Sequence, residues 1–324
     1  MAHRIARCRS RAASYTGAVP PPQLIALDWG TSNLRATLLG DEGMVLESRG
    51  AAGGVMAVPD RRFAEVLNSL CGDWIEQHAC PMIASGMIGS RQGWREAPYL
   101  ECPAVLALAA GQLTRIDLTA RVALHIVPGL HCTGPDGQSD VMRGEETQIW
   151  GAALSAGSCC VLPGTHSKWA WAGEAGAIAS FQTYMTGELY SLLTQHGILG
   201  RLMHFGHERP QAFASGVQLG LAEHADLPHA LFAARTAGLM NRIEPEGLPD
   251  FLSGILIGAE VGSATRRSVP QQVTLLGEDS LCRRYETALA LAGIATVRAA
   301  GDATTRGQWR VAVQAGLVPG EVVH

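Results

Sequence analysis

Leu27-Asp28-Trp29-Gly30-Thr31-Ser32 stands near the start of the chain, and Val161-Leu162-Pro163-Gly164-Thr165-His166 can be laid over it at a constant offset of 134 residues. Gly and Thr coincide, where an apolar run gives way to a turn. The flanks repeat too. Leu24 to Gly30, Leu34 to Gly40 and Met44 to Gly50 read as three short strands separated by Gly-, Asn- or Asp-bearing turns, the pattern of two consecutive hairpins. Cys159 to Leu162, Trp169 to Ala172 and Ile178 to Thr183 form the same series around the second copy. A repeated order of elements predicts two like domains with a cleft between them.

Beyond the first hairpins the period changes. Phe63, Val66, Leu67, Leu70 and Trp74 form one stripe of an amphipathic helix. A buried strand over Pro81 to Met87, a helix over 103–113, a strand over 122–127 and a helix over 141–154 complete the order βββαβαβα. Hairpins joined to βαβ crossovers predict an α/β fold, each domain a mixed five-stranded sheet with helices on its faces. In the second half, helices are expected over 187–203, 212–224, 227–240, 251–265, 279–291 and 304–317, with strands at 273–276 and 296–299. The surplus helices read as an insertion. The expected layout is a disordered basic extension over 1–22, ending in Pro20-Pro21-Pro22, then domains over 23–154 and 155–324.

Composition narrows the function. The 324 residues are 47% hydrophobic and 17% charged, ample for a core, and a net charge of −4 favours neither a nucleic-acid nor a membrane-surface partner. No C-x-x-C pair occurs among the eight cysteines, and no apolar run reaches the roughly 18 residues of a membrane span. A cytoplasmic protein working on a small molecule is expected. Oligomeric state is left open, a homodimer being one option. Neither G-x-G-x-x-G nor G-x-x-x-x-G-K-[ST] occurs, so dinucleotide and P-loop readings lose their signal.

The repeated hairpin carries the chemistry. Backbone N–H groups and hydroxyls of Gly30-Thr31-Ser32-Asn33 can face an anion, and Asp28, at the strand end, is placed to hold Mg²⁺ through water. The second hairpin, Gly164-Thr165-His166-Ser167-Lys168, offers equivalent donors, so the two loops suit a polyphosphate. Lys168 is the single lysine among 25 basic residues and could serve phosphate as a point charge, or be an exposed hairpin lysine. His166 is a turn residue or a donor. Gly277, between a strand and a helix, suits close approach to a base or ribose, as does Gly301-Asp302-Ala303.

Asp28-Trp29-Gly30-Thr31 with Gly164-Thr165 resembles the phosphate loops of the actin, sugar-kinase and chaperone-ATPase superfamily. Within it, the stretches 84–94, 141–148, 163–169 and 185–189 are similar to the 2-dehydro-3-deoxygalactonokinase family. The resemblance implies two ribonuclease H-like domains, ATP and Mg²⁺ as cofactors, and phosphorylation of 2-dehydro-3-deoxy-galactonate at O6 in galactonate breakdown. Other sugar kinases, a nucleotide switch and a sugar-responsive regulator are the rival readings. Asp140, read as the cap of the helix from Val141, is the candidate base, since superfamily sugar kinases often place the catalytic Asp before that helix; Glu145 is its rival, one helical turn on. Arg143 could neutralise phosphate or hold the substrate carboxylate, for which Arg91 is the stronger candidate, whereas Arg95 reads as an ion pair with Glu96. Ser85, Gly86, Met87, Trp94 and Tyr99 are further candidate substrate contacts, the last two equally readable as packing. Gly197 departs from the pattern, where Ser is expected.

Overall fold

The computed structural model describes residues 20–134 and 137–321, so the expected basic extension lies outside the described residues except for its terminal prolines. Its elements begin with the strands β1 Leu24–Trp29, β2 Asn33–Leu39 and β3 Val45–Ala52, the helix α1 Phe63–His78, and β4 Met82–Ser85. Next come β5 Tyr99–Glu101, α2 Leu106–Ala110, β6 Thr114–Asp117, β7 Ala123–Ile126, β8 Gly129–Thr133, β9 Ser139–Met142 and α3 Glu145–Ala152. The second series runs β10 Cys159–Leu162, β11 Ser167–Ala172, β12 Ile178–Tyr184, α4 Thr186–Gln195, α5 Pro210–Ala222, α6 Leu227–Leu239 and α7 Leu248–Thr265. It closes with β13 Gln272–Leu275, α8 Asp279–Leu291, β14 Ala295–Arg298 and α9 Ala303–Gln314.

Two sheets share one topology. The first is ordered β3-β2-β1-β4-β7-β6 and the second β12-β11-β10-β13-β14. In both, the leading strand pairs antiparallel with the next in sequence and parallel with the strand beyond a crossover: β1 with β2 and β4, β10 with β11 and β13. Asp28 faces Arg35 across the first hairpin, and Leu162 faces Lys168 across the second. Each hairpin leads into a second repeated turn. Gly40-Asp41-Glu42-Gly43 and Gly173-Glu174-Ala175-Gly176 both form a single 3₁₀ turn whose third residue has φ near +50°. The first sheet has six strands rather than five, because the chain folds β6 back antiparallel onto β7. A further small sheet is ordered β5-β8-β9, and the end of its β9 takes the start of the helix expected from Val141. Val141 and Met142 pair with β8 instead, and Gly144, at φ +111°, delays the helix to Glu145.

The chain divides into two units, residues 1–156 with 172–180 and 300–324, and residues 157–171 with 181–299. The last helix belongs to the first unit. Its reason is α9 packing on α3 through Gly151 and Gly307, where an added Cβ would lie 1.9 Å from Ala303 O and 1.8 Å from Thr147 O respectively. Buried Gln308 of α9 donates from Nε2 to Leu27 O at 2.6 Å and Ser85 Oγ at 2.9 Å, which ties that helix to the ends of β1 and β4. The first core is built on the expected stripe of α1, with Trp29 edge-on to Phe63 at 5.7 Å and Phe63 stacked on Trp94 at 6.1 Å.

In the second unit α7 is buried over most of its surface. It crosses α5 with backbone against backbone, because Gly216 and Gly220 face Gly254 and Gly258. A Cβ on Gly254 would sit 2.2 Å from Phe213 O and 2.8 Å from Val217 N. The expected helix over 187–203 breaks after Gln195, and Gly197 there has no room for a serine, since a Cβ would meet Leu193 O at 2.6 Å.

Gly254→Ala tests the crossing. Helix propensity favours Ala by about 1 kcal/mol, but overlap with fixed backbone atoms costs about 3 kcal/mol or more, so the overlap wins. Urea unfolding should show a net loss of about 2 kcal/mol; unchanged stability would show that the helices separate freely.

Candidate active site

In the first unit, the carboxyl ends of β1 and β4 and the start of α3 meet through glycine. Gly86 has φ +94°, and a Cβ on it would meet Trp29 O at 2.9 Å, while a Cβ on Gly144 would meet Gly86 Cα at 3.1 Å. Only residues without side chains allow so close a stack. Asp28, Ser85 and the acids of α3 are thereby brought to one edge of the sheet. Thr31, Ser32 and Asn33 of the β1–β2 turn are exposed, and Gly30 N donates to Asn33 O at 3.0 Å.

Asp28 has an uneven electrostatic setting. Arg35 Nη2 reaches its Oδ2 at 3.4 Å, and Arg35 Nη1 reaches Asp302 Oδ2 at the same distance. Burial raises the Asp28 pKa above the ordinary carboxylate value, Arg35 opposes the rise, and the negative charges of Asp302 and Glu145 add to it. Asp302 is the N-cap of α9, accepting from Thr305 N at 3.1 Å and Thr305 Oγ1 at 2.8 Å. Gly301-Asp302-Ala303 is therefore linked to Asp28 through Arg35. Carboxylate oxygens sharing a guanidinium between them are hard donors short of positive charge, a set that fits Mg²⁺.

Asp140 lies on β9 opposite Cys132 and is not a helix cap; its Oδ1 accepts from Val141 N at 2.8 Å. Glu145 is the first residue of α3, so the two candidate bases do not share a helical face; its Oε2 accepts from Arg143 N at 3.1 Å. Sequence reasoning missed Glu146. It is fully buried, accepts from Gly144 N at 2.6 Å and Thr147 Oγ1 at 3.1 Å, and is pushed up to about 7 by burial and by the Glu145 charge.

The substrate candidates divide. Ser85 is buried and engaged by Gln308, and Met87 packs on the core. Arg91 is exposed and pairs with Glu96 at 3.1 Å, the pairing expected of Arg95, which instead donates to Arg115 O at 2.8 Å. Arg143 is buried, donates to Ala97 O at 2.8 Å and stacks 4.2 Å from the Tyr99 ring centre. Its Nη1 has no hydrogen-bond partner and points to Gly89, where a Cβ would stand 2.9 Å away. Trp94 is held by Phe63, and Arg61 pins its loop by donating to Gly93 O.

In the second unit, the turn Gly164-Thr165-His166 opens on a cavity of about 500 Å³ lined by Thr165, Gly187, Tyr190, Leu256, Leu281 and Arg284 among others. The first turn of α4 closes on the hairpin turn, for a Cβ on Gly187 would lie 2.5 Å from Gly164 O, and Glu188 N donates to Thr165 O at 3.0 Å. His166 pairs with Glu188. Lys168 is buried rather than exposed and donates to His166 O at 3.1 Å. Ser167 is buried under the turn. Gly277, at φ +140°, precedes Glu278, which lines the cavity and caps α8. Hydrogen bonds from Ser280 and Leu281 hold the Glu278 carboxyl down to about 2.

Hairpin-led mixed sheets of this order define the actin-like ATPase fold as sugar kinases use it. A xylulose kinase from Lactobacillus acidophilus shares it at TM-score 0.51 and 12% identity, over 92% of this chain and 90% of that one. The family model for 2-keto-3-deoxy-galactonokinase matches residues 28–311, and the chain belongs to that family of sugar-acid kinases. The 2-dehydro-3-deoxygalactonokinase of Escherichia coli K12 is 41% identical over 281 residues, covering 86% of this chain and 93% of the relative. A solved structure from Sinorhizobium meliloti superposes at TM-score 0.82 with 34% identity, over 93% of this chain and 99% of the other.

Glu146 gives a pH test. Below its unfolded value of 4.5 the group is protonated in both states; as pH rises to about 7 the unfolded chain ionises it and the folded chain does not, so stability falls over that window. Glu146→Gln should match wild type near pH 4 and exceed it by about 3 kcal/mol near pH 8. Denaturation at both values measures the difference, and a constant difference would overturn the assignment.

Proposed function

We propose that this chain transfers the terminal phosphoryl group of ATP to O6 of 2-dehydro-3-deoxy-D-galactonate. The observation that carries the reading is the charge deficit at the end of β1, where Asp28 and Asp302 share Arg35 and Glu145 adds its negative charge. Asp28 is the residue that would hold Mg²⁺, which when bound neutralises phosphate oxygens. Gly30, Thr31, Ser32 and Asn33 supply N–H and hydroxyl donors to phosphate, and Gly164, Thr165, His166, Ser167 and Lys168 form the corresponding turn of the second unit, beside a cavity wide enough for a nucleoside. Gly277 borders the same nucleotide.

Asp140 takes the proton of the attacking hydroxyl. The carboxylate is partly buried, and its contact with Val141 N orients it. Glu145 is the alternative, with a backbone donor of its own. The sugar acid is held by the loop of Ser85, Gly86, Met87, Arg91 and Trp94 with Tyr99 and Arg143, a buried guanidinium with an unpartnered Nη1 being suited to a carboxylate.

Single-turnover transfer from ATP to this sugar acid, against a panel of hexoses and other sugar acids, tests the substrate. Asp28→Asn should lose at least about 10²-fold in turnover at saturating Mg²⁺, several kcal/mol of transition-state stabilisation. Asp140→Asn should keep ligand affinity by calorimetry and lose transfer by about 10²- to 10⁴-fold. Loss of transfer in Glu145→Gln alone would move the base to α3, and a wild type inactive on every sugar acid would refute the reading.

A further inference from the structure

Four elements of the second unit converge on one carboxylate that solvent does not reach. Glu260 on α7 is 3% exposed. Its Oε1 accepts from Trp169 Nε1 on β11 at 2.8 Å, and its Oε2 accepts from Tyr285 Oη on α8 at 2.6 Å and from the Thr186 hydroxyl at the start of α4. With the Tyr285 proton committed to Glu260, Ser167 Oγ donates to the Tyr285 oxygen at 2.7 Å. The chain of hydrogen bonds thus runs from the phosphate turn to α7. Burial raises the Glu260 carboxyl, and its hydroxyl and indole donors oppose the rise.

Thr186 and Tyr285 line the 500 Å³ cavity, whereas Glu260 stands behind them. We propose that Glu260 is a positioning residue for the nucleotide: by accepting three hydrogen bonds it holds the first turn of α4 and the inner face of α8 against Gly164-Thr165. It thereby sets the affinity for a nucleoside triphosphate that it does not touch. The inference rests on the reading that this cavity takes the nucleotide.

Donor chemistry makes the effect specific. An indole N–H can only donate, so a glutamine at 260 must turn its oxygen to Trp169 and its amide toward Thr186 and Tyr285. Both hydroxyls must then accept. Tyr285 would pass its proton to Ser167, whose remaining acceptor is Gly164 O, at a weak 3.5 Å. The disturbance ends in the phosphate turn.

Calorimetry with a non-hydrolysable ATP analogue, on wild type, Glu260→Gln and Leu281→Trp, tests it. Glu260→Gln should weaken analogue binding by about tenfold and leave the KM for sugar acid within about twofold, the scale of one lost buried hydrogen bond to a charged group. A lowered Tm with unchanged analogue affinity would make Glu260 merely structural and overturn the proposal. Leu281→Trp fills the cavity and should abolish binding; if it binds like wild type, the nucleotide lies elsewhere and the underlying reading fails with the proposal. Should Glu260→Gln not fold, Trp169→Phe removes one donor behind the cavity, and undiminished analogue affinity there would refute the inference.

Discussion

Backbone-to-backbone contact at Trp29, Gly86 and Gly144 is the constraint on which the first unit's site depends. Asp28 sits at the end of a strand, Ser85 at the end of its parallel neighbour, and Glu145 at the first turn of a helix that could otherwise stand farther off. Because neither glycine carries a Cβ, these ends close to within van der Waals distance. Gln308 completes the arrangement from the far end of the chain by hydrogen bonding to both strands. A side chain at residue 86 or 144 would push apart the groups whose burial, and to a lesser extent mutual repulsion, raises Asp28.

That repulsion has a physical use. A group of acids drawn together by packing is unfavourable until a cation or a helix end offsets it. Arg35 offsets it in part, bridging Asp28 and Asp302 from a half-exposed position where its ion pairs are weak and can be exchanged. Glu145 and Glu146 face the positive end of the α3 dipole, and their side chains accept from the backbone N–H groups of Arg143 and Gly144. The second unit uses the opposite device. Its enclosed carboxylate, Glu260, is met by neutral donors and works as a knot between elements.

Duplication explains why the two units have the same skeleton and different chemistry. The hairpin, its 3₁₀ turn and the parallel strand recur, since each is a local solution to pairing apolar strands around one sheet. Segments beyond the strand ends are free to diverge. In the first unit the space is taken by the small β5-β8-β9 sheet carrying Tyr99 and Asp140; in the second, by helices, of which α4 and α7 help to line the cavity.

The strands, the apolar stripe of α1, the repeated Gly-Thr turns and the family likeness were all legible in the amino-acid order, because each depends on residues close together or on a period along the chain. The place of Asp28 near a strand end and of Gly164-Thr165 in a hairpin turn was legible for the same reason. The β9 strand was not: Val141 and Met142 suit a helix as well as a strand, and pairing with β8 decided between them. Nor did order along the chain disclose that Asp302 belongs beside Asp28, that Arg91 meets Glu96, or that Trp169, Thr186 and Tyr285 share Glu260. Those partners lie from 5 to more than 250 residues apart, and which of many acids and donors meet is set by how helices and sheets pack, a tertiary matter that local pattern does not encode.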